Sequence, residues 1–341
     1  MAMVTHPRTV EFVSREIPRP AGDEVLLKVE ACAICGSDLH VFHDRHPFVS
    51  LPSAIGHEIS GTVVETGDEI RGLQEGDLVV VEPVISCGRC VACLRGRYHL
   101  CENITFHYRE GQGGFAQFFM ARERWLHPVP DGVDPDLAAL AEPLAVVLHA
   151  IGKAGLKTGD PVCIFGDGPI GLLLTAALQV TLTDRIFMVG HRSTRLDMAR
   201  ELGAMDVWNS RIVAPEEIRA RILDKTDGQG ANGVFEATGS ETALRVSLST
   251  LKKGGTAVLL GLHEGNAKGI DANIIIQKEL SVRGSQGYCW DFPAAMRLLN
   301  SHPHVFGSLI THTLSLKRLQ KAFEILSERE EKTGKIIIRP E

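Results

Sequence analysis

The sequence is poor in several features that would each point to a different class of protein. Eight cysteines in 341 residues are too few for a disulfide framework. Positive charge is not in excess: 36 Lys and Arg stand against 42 Asp and Glu, a net −6 without long runs of either sign. That argues against a chain whose main work is holding nucleic acid or an anionic membrane. No basic segment followed by an apolar core opens the chain, so the expectation is a soluble protein of a reducing compartment, most simply the cytoplasm. The most apolar stretch, 161–182, is interrupted in its first half by glycines, a proline and Asp167. It reads as a buried strand, a tight turn and a buried helix, and not as a membrane span. Internal repeats and low-complexity segments are lacking too. What is present is ample apolar material, 44% of residues, which excludes disorder for the bulk. The length suggests two domains.

Residues 1–148 read as mostly β. Short valine-rich runs at 24–30, 61–65 and 78–82 are separated by Gly, Pro and Asp, a spacing that suits a small barrel with irregular loops. Near Glu142 the texture changes. Strands at 161–165, 185–189, 233–236 and 256–260 alternate with helices at 169–180, 194–202 and 241–251, which predicts an α/β, doubly wound parallel sheet. The tail is mixed, with helices near 291–300 and 315–327 and a strand at 335–339.

Half the cysteines fall in one short segment. Cys87, Cys90, Cys93 and Cys101 form C-x2-C-x2-C-x7-C. Four thiolates suit the tetrahedral corners of zinc and leave no open position, so this site is expected to be structural. An iron–sulfur cluster uses similar ligands and stays open as an alternative, as do disulfides or plain thiols.

A second metal site is expected from residues far apart: Cys35 in CGSDLH, His57 in GHE and Glu142 in EPL. A thiolate, an imidazole and a carboxylate leave one coordination position vacant, the arrangement of a catalytic zinc. Asp38 is a candidate to hold the histidine ring through its second nitrogen. Glu58 is a candidate either to swap onto the metal or to tune it from behind.

Gly166-Asp167-Gly168-Pro169-Ile170-Gly171 follows the apolar strand VCIF and opens an apolar helix, the context that G-x-G-x-x-G needs to cradle a dinucleotide pyrophosphate. At the end of the next strand a carboxylate would hold the ribose 2′-OH of NAD. Gly190, His191 and Arg192 stand there instead, with Arg195 just beyond. Glycine leaves room and arginine supplies charge-assisted hydrogen bonds, so NADP(H) is favoured over NAD(H). The alternative is that these basic residues are a solvated helix start and NAD binds.

Together CGSDLH, GHE, the cysteine cluster, GGFAQFF (113–119), EPLAVVLHA (142–150), GDGPIG, RLDMARELGA (195–204), FEATGS (235–240) and KGGTAVLLG (253–261) resemble the zinc-dependent medium-chain alcohol dehydrogenases over nearly the whole chain. A glutamate at 142, where liver-type members carry a cysteine ligand, resembles the polyol, threonine and butanediol dehydrogenase branch. The resemblance implies a GroES-like barrel at 1–148 carrying both zinc sites. It implies a Rossmann domain at 149–286, with 287–341 returning to the first domain and the active site in the cleft. It implies Ser37 and His40 as a proton relay, further cofactor contacts at Thr238, Gly261 and Ser285, an alcohol or ketone substrate, and a homo-oligomer, dimer or tetramer. Gly287 falls where sorbitol dehydrogenases carry a substrate-binding arginine, which leaves room for a smaller diol, an amino alcohol or another sugar alcohol. Phe42, Phe48, Phe106, Phe118 and Tyr288 are candidates for the pocket walls. Three other readings remain: an NAD-dependent threonine or sorbitol dehydrogenase, a zinc-free quinone or enoyl reductase, and a non-catalytic NADPH-binding protein.

Overall fold

The protein is described from a computed structural model that covers residues 1–263, 267–328 and 332–340. The chain divides into two units, Met1–Ala145 with Cys289–Glu341, and Val146–Tyr288. The boundary expected near 148 therefore lies inside the helix Ala141–Ala154, which continues from one unit into the other.

In the first unit the strand Glu24–Ala33 is the organising element. It pairs antiparallel with Glu58–Thr66, with Phe118–Arg122 and with the C-terminal strand Lys335–Arg339. Its sequence, EVLLKVEACA, is buried over most of its length because neighbours cover both faces. Two pairings bring distant residues together at the C-terminal end of this strand. Ala33 faces Glu58, and Ile34 N–H donates to the Ile336 carbonyl at 2.9 Å. Three segments, the last of them hundreds of residues from the first, thus meet at one end of the sheet. In the core of this unit, Phe42 and Phe323 stack with centroids 4.6 Å apart. Phe42 is therefore a core residue and not a pocket wall; burying such a ring contributes about 1.5–3 kcal/mol. Tyr288, in the other unit, is equally buried.

His107 is packed in this unit edge-on to Phe119, 4.9 Å between centroids, and neither ring nitrogen has a hydrogen-bond partner among the described residues. A Glu110 carboxylate oxygen lies 3.8 Å from its Nδ1. Burial holds the His107 pKa down at about 4. A base depressed in the folded state contributes stability above its unfolded value of about 6.5 and loses it as the pH falls toward 4. The loss is about 3 kcal/mol at roughly 1.36 kcal/mol per unit. Urea unfolding between pH 7 and 4.5 should therefore be less pH-dependent for His107→Phe than for the wild type; equal slopes would assign the loss to other groups.

The second unit is a six-stranded, all-parallel sheet. Its spatial order is Asp206–Asn209, Ile186–Gly190, Val162–Phe165, Ala231–Glu236, Leu251–Leu259, Ser281–Gly284. This is the 3-2-1-4-5-6 order of doubly wound nucleotide-binding sheets. The stretch 161–182 resolves into the fully buried strand Val162–Phe165 and the helix Pro169–Thr181, as its glycines predict. Among the described residues one helical stretch, 135–154, is long and apolar enough to cross a bilayer, but 67% of its most apolar window is buried.

Candidate functional site

The strand register assembles the first site. Cys35 and His57 lie just beyond the Ala33–Glu58 pair, so the two chain segments leave the sheet side by side carrying a thiol and an imidazole. Asp38, in the helix Gly36–Phe42, ties the two exits together. Its Oδ2 accepts the Cys35 N–H at 3.0 Å and its Oδ1 the Gly56 N–H at 3.1 Å. Oδ1 also faces His57 Nδ1 at 3.5 Å, which leaves the other ring nitrogen for a metal. Burial alone would raise the Asp38 pKa, but the His57 charge and the two N–H groups outweigh it and hold the carboxyl below its ordinary value. Gly114 and Phe115 support this loop by donating their N–H groups to Gly56 O and Ile55 O at 2.8 and 3.3 Å, which is the work of the GGFAQFF segment.

The donor atoms of Cys35, His57 and Glu58 all lie within 4.8 Å of one another. Glu142 stands outside that group. It lies in the first turn of the helix Ala141–Ala154 and is close enough to interact with the charges of His57, Glu58, Lys335 and Asp38. Burial, with a smaller contribution from Glu58, pushes its carboxyl up to about 7 against the opposing pull of His57. The carboxylate grouped with the thiol and imidazole is thus Glu58, the residue expected to swap or to tune. A thiol, an imidazole and a choice of carboxylates suit zinc.

Glu58 has a partner that the sequence does not announce. The ammonium of Lys335, 277 positions away, donates to both its carboxylate oxygens, and to the Ile34 carbonyl at 3.1 Å. Both side chains are at most 2% exposed. Burial lowers the Lys335 pKa, but Glu58 overrides it and the ammonium is held above its ordinary value. His46 is likewise unmarked in the sequence: it lies near enough to His40, Asp38 and His57 to sense their charges, but belongs to a loop without a motif. Ser37 is half-buried and His40 exposed, on the helix that begins after Cys35.

The four cysteines form a second cluster, again with all donor atoms within 4.8 Å. Cys90 Sγ is 3.5 Å from Cys93 Sγ and 3.9 Å from Cys101 Sγ. Sulfurs on a zinc at about 2.3 Å would stand about 3.8 Å apart, so the lobe fits one ion. The spacing is too long for disulfides and too tight to enclose a multi-iron cluster. Backbone N–H groups of Cys87 and Asn103 point at Cys101 Sγ, each at 3.3 Å. Trp290 anchors the lobe by donating from Nε1 to Gly96 O at 2.8 Å.

In the second unit, Gly166 follows the strand Val162–Phe165 and Gly168 caps the helix that begins with Pro169, Ile170 and Gly171. A Cβ on Gly171 would meet Gly166 O at 1.9 Å, so only glycine permits this turn. Thr238 donates N–H and hydroxyl to the buried Glu236, at the end of the neighbouring strand. Gly261 packs against Gly239, and the Ser285 hydroxyl is buried without a hydrogen-bond partner among the described residues. Gly190 ends its strand, followed by His191 and Arg192, with Arg195 buried in the next helix. Burial, and then Arg192, bring the Arg195 pKa down to about 10. The room expected at Gly190 is not empty: the side chain of Asp167 fills it.

Both units match known families. Residues 21–131 match the alcohol dehydrogenase GroES-like domain, and 169–301 match the zinc-binding dehydrogenase domain. L-threonine 3-dehydrogenase of Pyrococcus abyssi is 34% identical over 333 residues, 96% of this chain and 94% of that protein. The chain belongs to the zinc-dependent medium-chain alcohol dehydrogenases. Solved structures of this family superpose closely. The 2R,3R-butanediol dehydrogenase of Bacillus subtilis has a TM-score of 0.91 at 33% identity, covering 100% of this chain and 99% of that one. A zinc-binding dehydrogenase of Sinorhizobium meliloti 1021, bound to NADP, has a TM-score of 0.88 at 29% identity, covering 99% and 98%. As a family member the chain is an alcohol or polyol dehydrogenase with a GroES-like and a Rossmann domain, and a small-molecule alcohol is its substrate.

Proposed function

We propose that this dehydrogenase interconverts a secondary alcohol (a polyol, diol or sugar alcohol) and its ketone with NADP(H). It would use one zinc at Cys35, His57 and a carboxylate, and a structural zinc at the four cysteines. The observation that carries the reading is the convergence of Cys35, His57 and Glu58 donor atoms, with Glu142 buried nearby. A zinc-free reductase or a passive nucleotide binder has no use for that set. Threonine 3-dehydrogenase and butanediol dehydrogenase are both named for secondary alcohols, which supports the substrate class.

A bound zinc would supply Lewis acidity toward a substrate hydroxyl, and a bound nicotinamide would supply the hydride acceptor. The chain's own groups do the rest. Cys35 and His57 would hold the ion, Asp38 would fix the imidazole, and Glu58 or Glu142 would supply the carboxylate. Ser37 Oγ would accept the proton that leaves the hydroxyl while releasing its own toward His40, at the exposed side of the same helix, which would hand a proton on to solvent. Gly166, Gly168 and Gly171 let the pyrophosphate approach the helix start, and Arg192 and Arg195 offer positive charge to a 2′-phosphate.

A panel of polyols, diols, short alcohols and threonine, each with NAD and NADP, tests this by the absorbance of the reduced nicotinamide. Turnover of a secondary alcohol with NADP is expected, with about two zinc ions per chain. No turnover with any alcohol would leave a binding protein. Arg192→Gln should weaken NADPH by about tenfold or more and NADH little, as expected for a lost charge-assisted bond. Equal losses would refute the phosphate role.

A further inference from the structure

Gly190 ends its strand without a side chain, yet a carboxylate stands there. A Cβ built on Gly190 would lie 2.5 Å from Asp167 Cβ, 2.7 Å from Cγ and 2.8 Å from Oδ2. The register brings the two positions together. Phe165 is paired with Val189, and Gly166 N–H donates to Val189 O at 2.8 Å, so the next residues of the two segments remain neighbours. Asp167 is 3% exposed. Its Oδ2 accepts the N–H of His191 at 2.9 Å and of Arg192 at 2.6 Å, and its Oδ1 faces His191 Nδ1 at 3.7 Å. The second residue of the glycine loop has taken the place that a strand-end acid would occupy.

We propose that Asp167 is a specificity-determining residue: through the Gly190 cradle it supplies the negative charge that discriminates between NAD(H) and NADP(H), and it restrains the preference for NADP(H) that Arg192 and Arg195 create. The proposal rests on the reading of this loop as the dinucleotide site. A carboxylate at this strand end favours a ribose 2′-OH, which donates to it, and disfavours a 2′-phosphate, which carries like charge. The opposing cations stand beside it. Arg195 is near enough to Asp167 to be stabilised by it and near enough to Arg192 to be destabilised by that neighbour. One acid thus offsets part of the field of two guanidinium groups, and neither alone sets the outcome. Gly190 is then required by Asp167 and is not in itself a vacancy kept for phosphate.

The test is Asp167→Asn in the zinc-loaded full chain. Asparagine keeps an oxygen for the His191 and Arg192 N–H groups and removes only the charge. Dissociation constants for NADPH and NADH are measured by calorimetric titration. The ratio Kd(NADH)/Kd(NADPH) should rise about tenfold over wild type, through tighter NADPH, from loss of one like charge at close range. If that variant does not fold, Asp167→Ser, neutral and smaller, should show the same direction. An unchanged ratio, or weaker NADPH, would overturn the proposal; the latter would mean that the acid holds the arginines in place for phosphate. The wild-type ratio is read separately. A wild type that binds NADH more tightly refutes the NADP(H) reading, while the change on substitution still decides the role of Asp167. A wild type that binds neither cofactor overturns both.

Discussion

Lys335→Met should lower the unfolding free energy by about 3–5 kcal/mol, the usual cost of stranding one member of a buried ion pair. Methionine fills a similar volume, so packing changes little and the charge is isolated as the cause. What remains is Glu58, fully buried, without the ammonium that meets both its oxygens. The Ile34 carbonyl also loses a donor. Urea unfolding followed by circular dichroism gives the number. The double variant Lys335→Met, Glu58→Gln should recover much of the loss, because an amide is cheaper to bury than an unpaired carboxylate. A loss below about 1 kcal/mol for the single variant would show that Glu58 is compensated by something other than Lys335.

Cys35→Ser should cut turnover more than about 100-fold, since even groups that only orient a metal ligand are worth about 10–100-fold. Zinc content should fall by one ion while the unfolding midpoint moves little, because the sheet end is held by backbone pairing and by Asp38 accepting the residue 35 N–H, neither of which uses the sulfur. Full activity in this variant would sink the catalytic-metal reading. The four-cysteine lobe serves as the internal control: it binds its ion with local sulfurs only, and it should retain that ion in the variant.

Much of the fold is legible in the sequence because some signals are local. The buried strands VCIF and IFMV and the helix after GDGPIG announce themselves through apolar runs and glycine, and the cysteine lobe lies within 15 positions. Other elements leave little trace. Asp206–Asn209 and Ser281–Gly284 are four-residue strands at the two edges of their sheet, one of them mostly exposed, so no apolar run marks them. The helices Pro215–Asp224 and Ala272–Lys278 carry no motif either. The unit boundary is legible to within a few residues from the change of texture near Glu142, but no more sharply, because a continuous helix runs through it. The site divides the same way. Cys35, His57 and Asp38 sit in recognisable motifs, whereas Glu58–Lys335 and Asp167–Gly190 exist only once strand registers are fixed. No local spacing encodes a contact between side chains 277 residues apart.

The pairing of Lys335–Arg339 with Glu24–Ala33 has a consequence for how the chain is born. The segment Val146–Tyr288 can collapse as soon as it leaves the ribosome. The first 145 residues must wait for a closing strand made about 190 residues later, roughly 10–40 s at ordinary elongation rates. Throughout that delay the Cys32–Ala33 end of this strand lacks its edge partner and Glu58 has no counter-ion, so a stalled nascent chain would present a half-built sheet end to whatever chaperone meets it first.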